Sequence, residues 1–327
     1  MLLSKKTQRK AFFLTPILFL STTIFISPSE SFSASSVTPE KINTVFLPSS
    51  IRTENITQSY QPNIFTKLFS SVPKRERAVD DISVSFGHRH EYEDRFTILI
   101  GRSASGKSTY LRLLAMVEHP VSGNLFLNEN EYSLRDTKEE SSVSESLAER
   151  IHKDPKPIII DSKPDCFDSR LSTLERILAS VPEPRSIECR ERFTDDEMNE
   201  LKQCVAMKFC EVMGLKEEQY LSTPDDLTPS QQYLFGLVCA CMESSFENIS
   251  MNSDKVVKIP CPILLLDELL DKETYDVASK VGRALLSLTE MGGVVIAATH
   301  RPQHLTAAAK RTITLSSGRV LAVEYHN

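Results

Sequence analysis

The fold is decided by the stretch Phe96-Thr-Ile-Leu-Ile100, Gly101-Arg-Ser-Ala-Ser-Gly106-Lys107-Ser108-Thr109 and Tyr110-Leu-Arg-Leu-Leu-Ala-Met-Val117. Its first five residues are largely β-branched or aromatic and predict a buried strand, whereas its last eight have helical spacing. Between them lies the pattern G-x-x-x-x-G-K-[ST]. Its glycines let backbone N–H groups converge on phosphate oxygens, and the helix that follows adds its positive end. The stretch therefore predicts a phosphate-binding loop, and a chance match in a turn is the alternative.

Each polar residue of this loop has a predicted role. Lys107 is predicted to reach the β- and γ-phosphates of a nucleotide, and the Ser108 hydroxyl to ligate Mg²⁺. The residues predicted to contact the nucleotide here are Gly101, Arg102, Ser103, Ala104, Ser105, Gly106, Lys107, Ser108 and Thr109.

A second apolar run, Cys261-Pro-Ile-Leu-Leu-Leu266, ends in Asp267-Glu268. Because it is apolar on both faces, it suits a central strand of a parallel sheet, and its carboxyl end would emerge beside the phosphate loop. Asp267 is predicted to hold Mg²⁺ through its water shell, and Glu268 to act as general base on the attacking water. The alternative is a solvated acidic pair that caps the next helix.

A third run, Gly293-Val-Val-Ile-Ala-Ala298, ends in Thr299-His300. By the same argument His300 is predicted to sense the γ-phosphate, although a lone histidine is more often structural. Thr312–Leu315 and Val320–Glu324 flank Ser316-Ser317-Gly318 and predict a closing hairpin.

Composition excludes two classes of function. The chain has 327 residues, 40% apolar and 25% charged, with a net charge of −6. Residues 1–75 carry nine basic and three acidic side chains, which leaves −12 on residues 76–327. An acidic body argues against a protein that binds the phosphate backbone of nucleic acid. The single apolar run Ala11–Ile26 is too short to form a membrane channel by itself.

The seven cysteines favour a reducing compartment. They are odd in number and lie in the second half of the chain without the spacing of a zinc site. Buried free thiols are therefore predicted.

The N-terminus has the composition of a targeting leader. Basic residues precede the apolar run in residues 1–26, and residues 27–76 are rich in Ser and Thr with few acids. Together they resemble the bipartite leader of proteins imported into plastids with extra membranes, with Phe32 at the aromatic cleavage position. A mitochondrial presequence and a membrane anchor are the alternatives. On this prediction the folded part comprises residues 77–327.

Taken together, the motifs resemble the ATP-binding cassette (ABC) family over most of residues 78–327. Ala78–Val84 resembles its first antiparallel strand, Gly101–Thr109 its Walker A, and Pro120–Leu127 the strand that follows. Ile263–Glu268 resembles Walker B, and Val294–His300 the switch strand. Leu227-Thr228-Pro229-Ser230-Gln231 stands where the family has its LSGGQ signature. The resemblance implies a P-loop parallel sheet with an antiparallel β edge and a helical subdomain at about residues 149–242.

The helical subdomain is supported by apolar residues at helical spacing in Leu171–Leu178, Asp195–Val212 and Ser230–Met242. The resemblance further implies an ATP- and Mg²⁺-binding ATPase that energises a separate transmembrane subunit. Its pairing with a second cassette, as homodimer or heterodimer, would bring Thr228 and Gln231 to the partner's ATP. The alternative is an ATP-binding regulatory or assembly module with little hydrolysis. No Asn-Lys-x-Asp motif supports a GTPase.

Several positions depart from the family pattern. Ala104 replaces a glycine of Walker A, and Pro229 and Ser230 replace both glycines of the signature. Asp161, Ser162 or Lys163 stands where the family has its Q-loop glutamine. Asp271 follows Glu268 after a shorter link than the family's D-loop aspartate does. Phe69 and Phe86 are the aromatic candidates for stacking on adenine, with Phe86 expected in the core.

Overall fold

The computed structural model describes residues 24–25, 43–60, 76–87, 94–132, 154–162, 171–251 and 256–326. In chain order the strands are β1 (Ile24–Phe25), β2 (Asn43–Leu47), β3 (Ile51–Tyr60), β4 (Glu76–Phe86), β5 (Phe96–Ile100), β6 (Ser122–Leu127), β7 (Asn130–Tyr132), β8 (Ile158–Ile160), β9 (Ser250–Met251), β10 (Val256–Pro260), β11 (Ile263–Asp267), β12 (Val294–Ala298), β13 (Arg311–Ser316) and β14 (Arg319–Tyr325). The helices are α1 (Lys107–Leu114), α2 (Thr173–Ser180), α3 (Ile187–Arg192), α4 (Asp195–Val212), α5 (Glu217–Leu221), α6 (Pro229–Phe246) and α7 (Tyr275–Glu290).

The central sheet has the order β14-β13-β5-β12-β11-β8. Its strands are parallel except β14, which forms an antiparallel hairpin with β13. Alternate residues of β11 face opposite layers: Leu264 and Leu266 pack on the helical side, and Ile263 and Leu265 pack towards α1. A strand covered on both faces must be apolar throughout, which is why the apolar runs predicted these strands correctly. The predicted fold class is confirmed.

A second, antiparallel sheet has the order β4-β3-β6-β7. Its inner strand β3 pairs with β4 on one side and with β6 on the other, and Ile51 and Ile56 of β3 are fully buried. The predicted boundary at residue 77 is therefore wrong. Residues 43–60 belong to the fold because β4 and β6 need β3 between them to pair their backbones.

A third sheet ties the N-terminal segment to the rest of the chain. Strand β2 runs parallel to β10, which leads directly into β11. The Ser49 hydroxyl donates to the Cys261 carbonyl at 2.5 Å, and the Phe46 ring meets Phe209 of α4 edge-on at 5.7 Å between ring centroids. The segment predicted as leader thus contributes packing to both the sheet and the helices.

Helices α2, α4 and α6 coincide with the three segments whose apolar spacing predicted helices, so those three predictions are confirmed. Each begins at a capping box, in which the side chain three residues into the helix bonds back to the capping residue: Ser172 with Glu175, Thr194 with Glu197, and Thr228 with Gln231. Within the range predicted to be helical, however, Ile158–Ile160 forms β8 of the central sheet. Its three isoleucines are β-branched and suit the sheet edge beside β11.

In the described part of the chain, Cys204, Cys210, Cys241 and Cys261 are free thiols and are buried, as predicted. Cys189 is also buried, and Cys239 is half-buried. Cys166 lies outside the described residues. Burial raises the pKa of the Cys261 thiol to about 12, so this thiol is protonated at neutral pH. Among the described residues no helix has both the length and the apolar character needed to span a membrane.

The new boundary is testable by truncation. A chain starting at Lys41 keeps β2 and β3, and we expect it to unfold in one sharp thermal transition. A chain starting at Glu76 loses both strands and the burial of Ile51 and Ile56, worth about 1.5–3 kcal/mol each, so we expect no cooperative transition. The boundary at residue 43 is contradicted if circular dichroism shows the two chains melting at the same temperature.

Candidate functional site

The phosphate loop joins β5 to α1 in a conformation that requires glycine at two points. Gly106 has φ 101°, and a Cβ on it would lie 2.1 Å from the Ala78 carbonyl oxygen. A Cβ on Gly101 would lie 2.4 Å from the Leu315 carbonyl oxygen. Ala104 has φ 61°, a left-handed conformation that costs a non-glycine residue roughly 1–2 kcal/mol. The loop therefore adopts a glycine-like shape even where the sequence supplies alanine.

The loop presents backbone donors to an anion. Helix α1 begins immediately after Gly106, and no side chain caps its first turn. Its first N–H groups and its positive end are therefore available to a negatively charged ligand. The geometry suits the predicted phosphate site.

The Lys107 ammonium lies at the centre of the site. Lys107 is 4% exposed, and its Nζ donates to the carbonyl oxygens of Gly101 at 3.0 Å and of Arg102 at 3.4 Å. Burial lowers the pKa of Lys107, while the carboxylates of Glu268 and Asp267 act in the opposite direction. A buried cation held among acceptors is well placed to receive phosphate oxygens.

The predicted magnesium ligands are brought together. The Ser108 hydroxyl donates to Asp267 Oδ1 at 3.0 Å across the ends of α1 and β11. A hydroxyl and a carboxylate are the hard oxygen donors that Mg²⁺ accepts, and this cation usually keeps several waters and takes few protein ligands. The donor set fits Mg²⁺.

Glu268 and His300 form a hydrogen-bonded pair. His300 Nε2 lies 2.9 Å from Glu268 Oε1 and 3.4 Å from Lys107 Nζ. Glu268 has φ 56°, and its N–H donates to the Ala298 carbonyl at 2.9 Å, so its backbone turns sharply against the end of β12. A strained residue held by its neighbours at a strand end is typical of a functional position.

Asp271, which sequence reasoning left open, holds the segment that carries His300. Its carboxylate accepts the Thr299 hydroxyl and, at 2.8 Å, the His300 N–H. Its own N–H donates to the Glu268 carbonyl at 3.1 Å. Asp271 thereby joins the backbones at the ends of β11 and β12, in spite of the short link from Glu268.

Sequence reasoning missed one aromatic residue, Tyr60. It lies at the end of β3, is 43% exposed, and donates its hydroxyl to Glu118 Oε2 at 2.5 Å. The side chain of Thr109, at the end of the phosphate loop, contacts the same hydroxyl. Phe86 is fully buried in the core, as expected, and Phe69 lies outside the described residues. The sequence feature that could have identified Tyr60 is an aromatic residue at the end of a strand. It was not considered because the fold was predicted to begin at residue 77.

The signature-like segment opens α6. The Thr228 hydroxyl and N–H both donate to Gln231 Oε1, at 2.8 and 2.9 Å. Pro229 occupies the first helical position, where its fixed φ suits the helix and its missing N–H costs the helix nothing. Thr228 and Gln231 thus bond to each other, and among the described contacts neither bonds to the phosphate loop. At the position of the Q-loop, Asp161 and Ser162 follow β8 and are exposed, and Lys163 lies outside the described residues.

The strand order and the loop define a P-loop nucleotide-binding fold, and comparison with known proteins agrees. Residues 84–245 match the ABC transporter family. A probable amino-acid ABC transporter ATP-binding protein of Haemophilus influenzae is 24% identical over 226 residues, which cover 68% of this chain and 74% of that protein. The aliphatic sulfonates import ATP-binding protein SsuB of Pectobacterium atrosepticum is 38% identical over 81 residues, 22% of this chain and 28% of that one.

Solved structures share the fold. A bacterial ABC transporter cassette solved as a dimer has a TM-score of 0.51 at 18% identity, with 84% of this chain and 98% of that one covered. Another ABC transporter cassette, in its ADP conformation, has a TM-score of 0.54 at 18% identity, with 85% and 91% covered. The chain contains an ABC nucleotide-binding domain and is an ATP-binding subunit of an ABC transporter.

The bridging role of Asp271 predicts a stability effect. Replacing Asp271 with Ala removes the acceptor of two hydrogen bonds, and hydrogen bonds to charged groups contribute about 1.5–3 kcal/mol each. We expect the free energy of unfolding in urea to fall by about that amount or more. Asp276→Ala is the matched control, because Asp276 is an exposed partner of Lys280, and it should change stability by less than about 0.5 kcal/mol. Equal urea midpoints for both variants would contradict the bridging role.

Proposed function

We propose that this chain hydrolyses ATP with Mg²⁺ and thereby energises a transporter whose membrane subunit is a separate chain. The supporting observation is the convergence of Lys107, Ser108, Asp267, Glu268 and His300 around one phosphate loop. A post-hydrolysis cassette dimer bound to ADP and phosphate shares the fold at a TM-score of 0.51.

In this proposal the loop N–H groups and Lys107 hold the β- and γ-phosphates. Ser108 and Asp267 hold Mg²⁺, which supplies neutralisation of phosphate charge when it is bound. Lys107 then exchanges its two carbonyl acceptors for phosphate oxygens, a charge-assisted contact that is stronger than the one it replaces.

Glu268 accepts the proton of the attacking water as the water oxygen bonds to the γ-phosphorus and the bond to the leaving ADP oxygen breaks. His300 lies beside Glu268 and Lys107, and in this proposal its Nε2–H turns from the Glu268 carboxylate to the γ-phosphate when ATP binds. Asp271 keeps His300 in place through the backbone. On this proposal Tyr60 stacks on the adenine, because its ring is exposed beside Thr109.

A second cassette is part of the proposal. In the family the signature of one subunit faces the ATP of its partner, as homodimer or heterodimer, and a dimeric cassette shares the present fold. Here Pro229 offers no N–H and the Thr228 hydroxyl already donates to Gln231. These two features favour a heterodimer in which the partner supplies an intact signature. They equally favour the second candidate function, an ATP-binding regulatory or assembly module with little hydrolysis.

Nucleotide binding is tested by Lys107→Ala. The variant loses charge-assisted contacts of about 1.5–3 kcal/mol each, so the Kd for ATP measured by calorimetry should rise roughly tenfold to hundredfold. Lys280→Ala removes an exposed lysine on α7 and should leave the Kd unchanged. An unchanged Kd in Lys107→Ala means that the phosphates bind elsewhere.

Turnover is tested on the isolated chain. Loss of one pre-organised donor costs roughly 10²–10³ in rate, so the protein alone should bind ATP and hydrolyse it slowly. Pro229→Gly with Ser230→Gly should then accelerate a homodimer, and Glu268→Gln should let ATP stabilise a dimer in gel filtration. Fast turnover by the unaltered chain alone contradicts the need for a partner signature. Tight ATP binding without turnover under any pairing supports the regulatory module.

We also propose that residues 1–42 direct the protein into an ATP-containing organelle, with a plastid favoured over a mitochondrion or a membrane anchor. The support is the basic and apolar start, the Ser-rich continuation, and free cysteines that suit a reducing compartment. A fluorescent protein fused to residues 1–42 should accumulate in that organelle and lose the leader. Secretion of the fusion from the cell would refute the proposal.

A further inference from the structure

Three segments that are far apart in the chain meet at one place: the phosphate loop, the start of β4, and the turn between β13 and β14. The turn residue Gly318 bridges the other two. Its N–H donates to the Ser105 carbonyl at 3.0 Å, and its carbonyl accepts the Asp80 N–H at 2.8 Å. Gly318 has φ 79°, and a Cβ on it would lie 2.8 Å from the Ala78 carbonyl oxygen, so only glycine fits this close approach.

An ion pair fastens this turn to β4. Asp80 Oδ2 accepts from Arg319 Nε at 2.6 Å and Nη2 at 2.5 Å, and Oδ1 accepts from Arg77 Nη1 at 2.6 Å. The Asp80 side chain is 9% exposed, whereas the Arg319 side chain is 68% exposed. The hydrogen bonds from Arg77 and Arg319 lower the pKa of Asp80, so the carboxylate stays ionised at neutral pH.

The bond to Ser105 determines where the next donor of the loop points. In a planar trans peptide the C=O and N–H groups point in opposite directions. Because the Ser105 carbonyl points at Gly318, the N–H of Gly106 points the other way, away from the turn. Gly106 immediately precedes α1, where backbone donors face the phosphate site.

We propose that the Asp80–Arg319 pair is a positioning device for the nucleotide phosphates, acting through Gly318 and Ser105 on the peptide that presents the Gly106 N–H. The proposal rests on the proposed ATP binding and adds residues outside the P-loop motif to it. Arg77, the other partner of Asp80, lies opposite Ser59 of β3 in the register of the antiparallel sheet.

The experiment uses the full chain and a fluorescent ATP analogue, followed by steady-state hydrolysis. Arg319→Ala should raise the Kd and the KM for nucleotide about three- to tenfold, with kcat and the melting temperature nearly unchanged, because the Arg319 side chain is open to solvent and Arg77 still bonds to Asp80 in the variant. Arg319→Lys should recover part of the affinity, since it keeps the charge and loses the two-pronged contact. Arg77→Ala is the matched control: it removes the other partner of Asp80 and leaves the hairpin fastened, so its Kd should stay within twofold.

Equal Kd values for Arg319→Ala and the unaltered chain overturn the proposal. So does an Arg319→Ala variant that loses affinity, kcat and melting temperature together, since that pattern indicates a purely structural role. If the unaltered chain and Lys107→Ala both fail to bind the analogue, the proposed ATP site itself is wrong and this proposal falls with it. Binding by the unaltered chain that is lost in Lys107→Ala but kept in Arg319→Ala overturns the positioning device alone.

Discussion

Strands β5, β12 and β11 run parallel in a common register, with Leu99 opposite Ala298 and Ala298 opposite Asp267. Their carboxyl ends therefore lie at the same level of the sheet, and each releases its next residues into the same crevice. The phosphate loop follows β5. Asp267 is the last residue of β11 and Glu268 comes directly after it, and Thr299-His300 follows β12. A slip of two residues between any pair of these strands would separate the groups by about 7 Å. The chemistry of the site depends on this alignment more than on any single hydrogen bond.

Because the strand ends are aligned, charged side chains lie close together, and the positive charge of one lysine is opposed by nearby carboxylates. Burial disfavours the charged form of Lys107, and the nearby carboxylates of Glu268, Asp267 and Asp271 act in the opposite direction. His300 lies between the cation and Glu268 and contacts both. A polyanionic ligand entering this crevice meets a cation and backbone donors on one side and metal-binding oxygens on the other. Such an arrangement suits a phosphate ester that carries its own divalent cation.

The opening of α6 illustrates how local stability and function can compete for the same atoms. Proline at the first helical position and a Thr228–Gln231 capping box both stabilise a helix start. Each also withdraws a donor from the surface: the proline has no N–H, and the Thr228 hydroxyl donates within its own chain. A helix start that presents glycines instead leaves its backbone donors free for an external anion, at a cost in helix stability. In this chain the start of α6 is stabilised by its own cap, and these donors are not left free for an external anion.

Sequence by itself determined the parts of the site that are contiguous: the loop Gly101–Thr109, the carboxylates after β11, and His300 after β12. Their chemistry lies in adjacent residues, and strands buried on both faces have a continuous apolar signature. Only the tertiary structure decided that β3 and Tyr60 belong to the fold, that Asp271 holds the backbone of His300, and that Asp80 pairs with Arg319. The mixed polar and apolar pattern of β3 does not show that this strand pairs with β4 and β6. Asp80 and Arg319 are 239 residues apart in the chain. Partners so distant leave no local pattern, because the folded sheets bring them together.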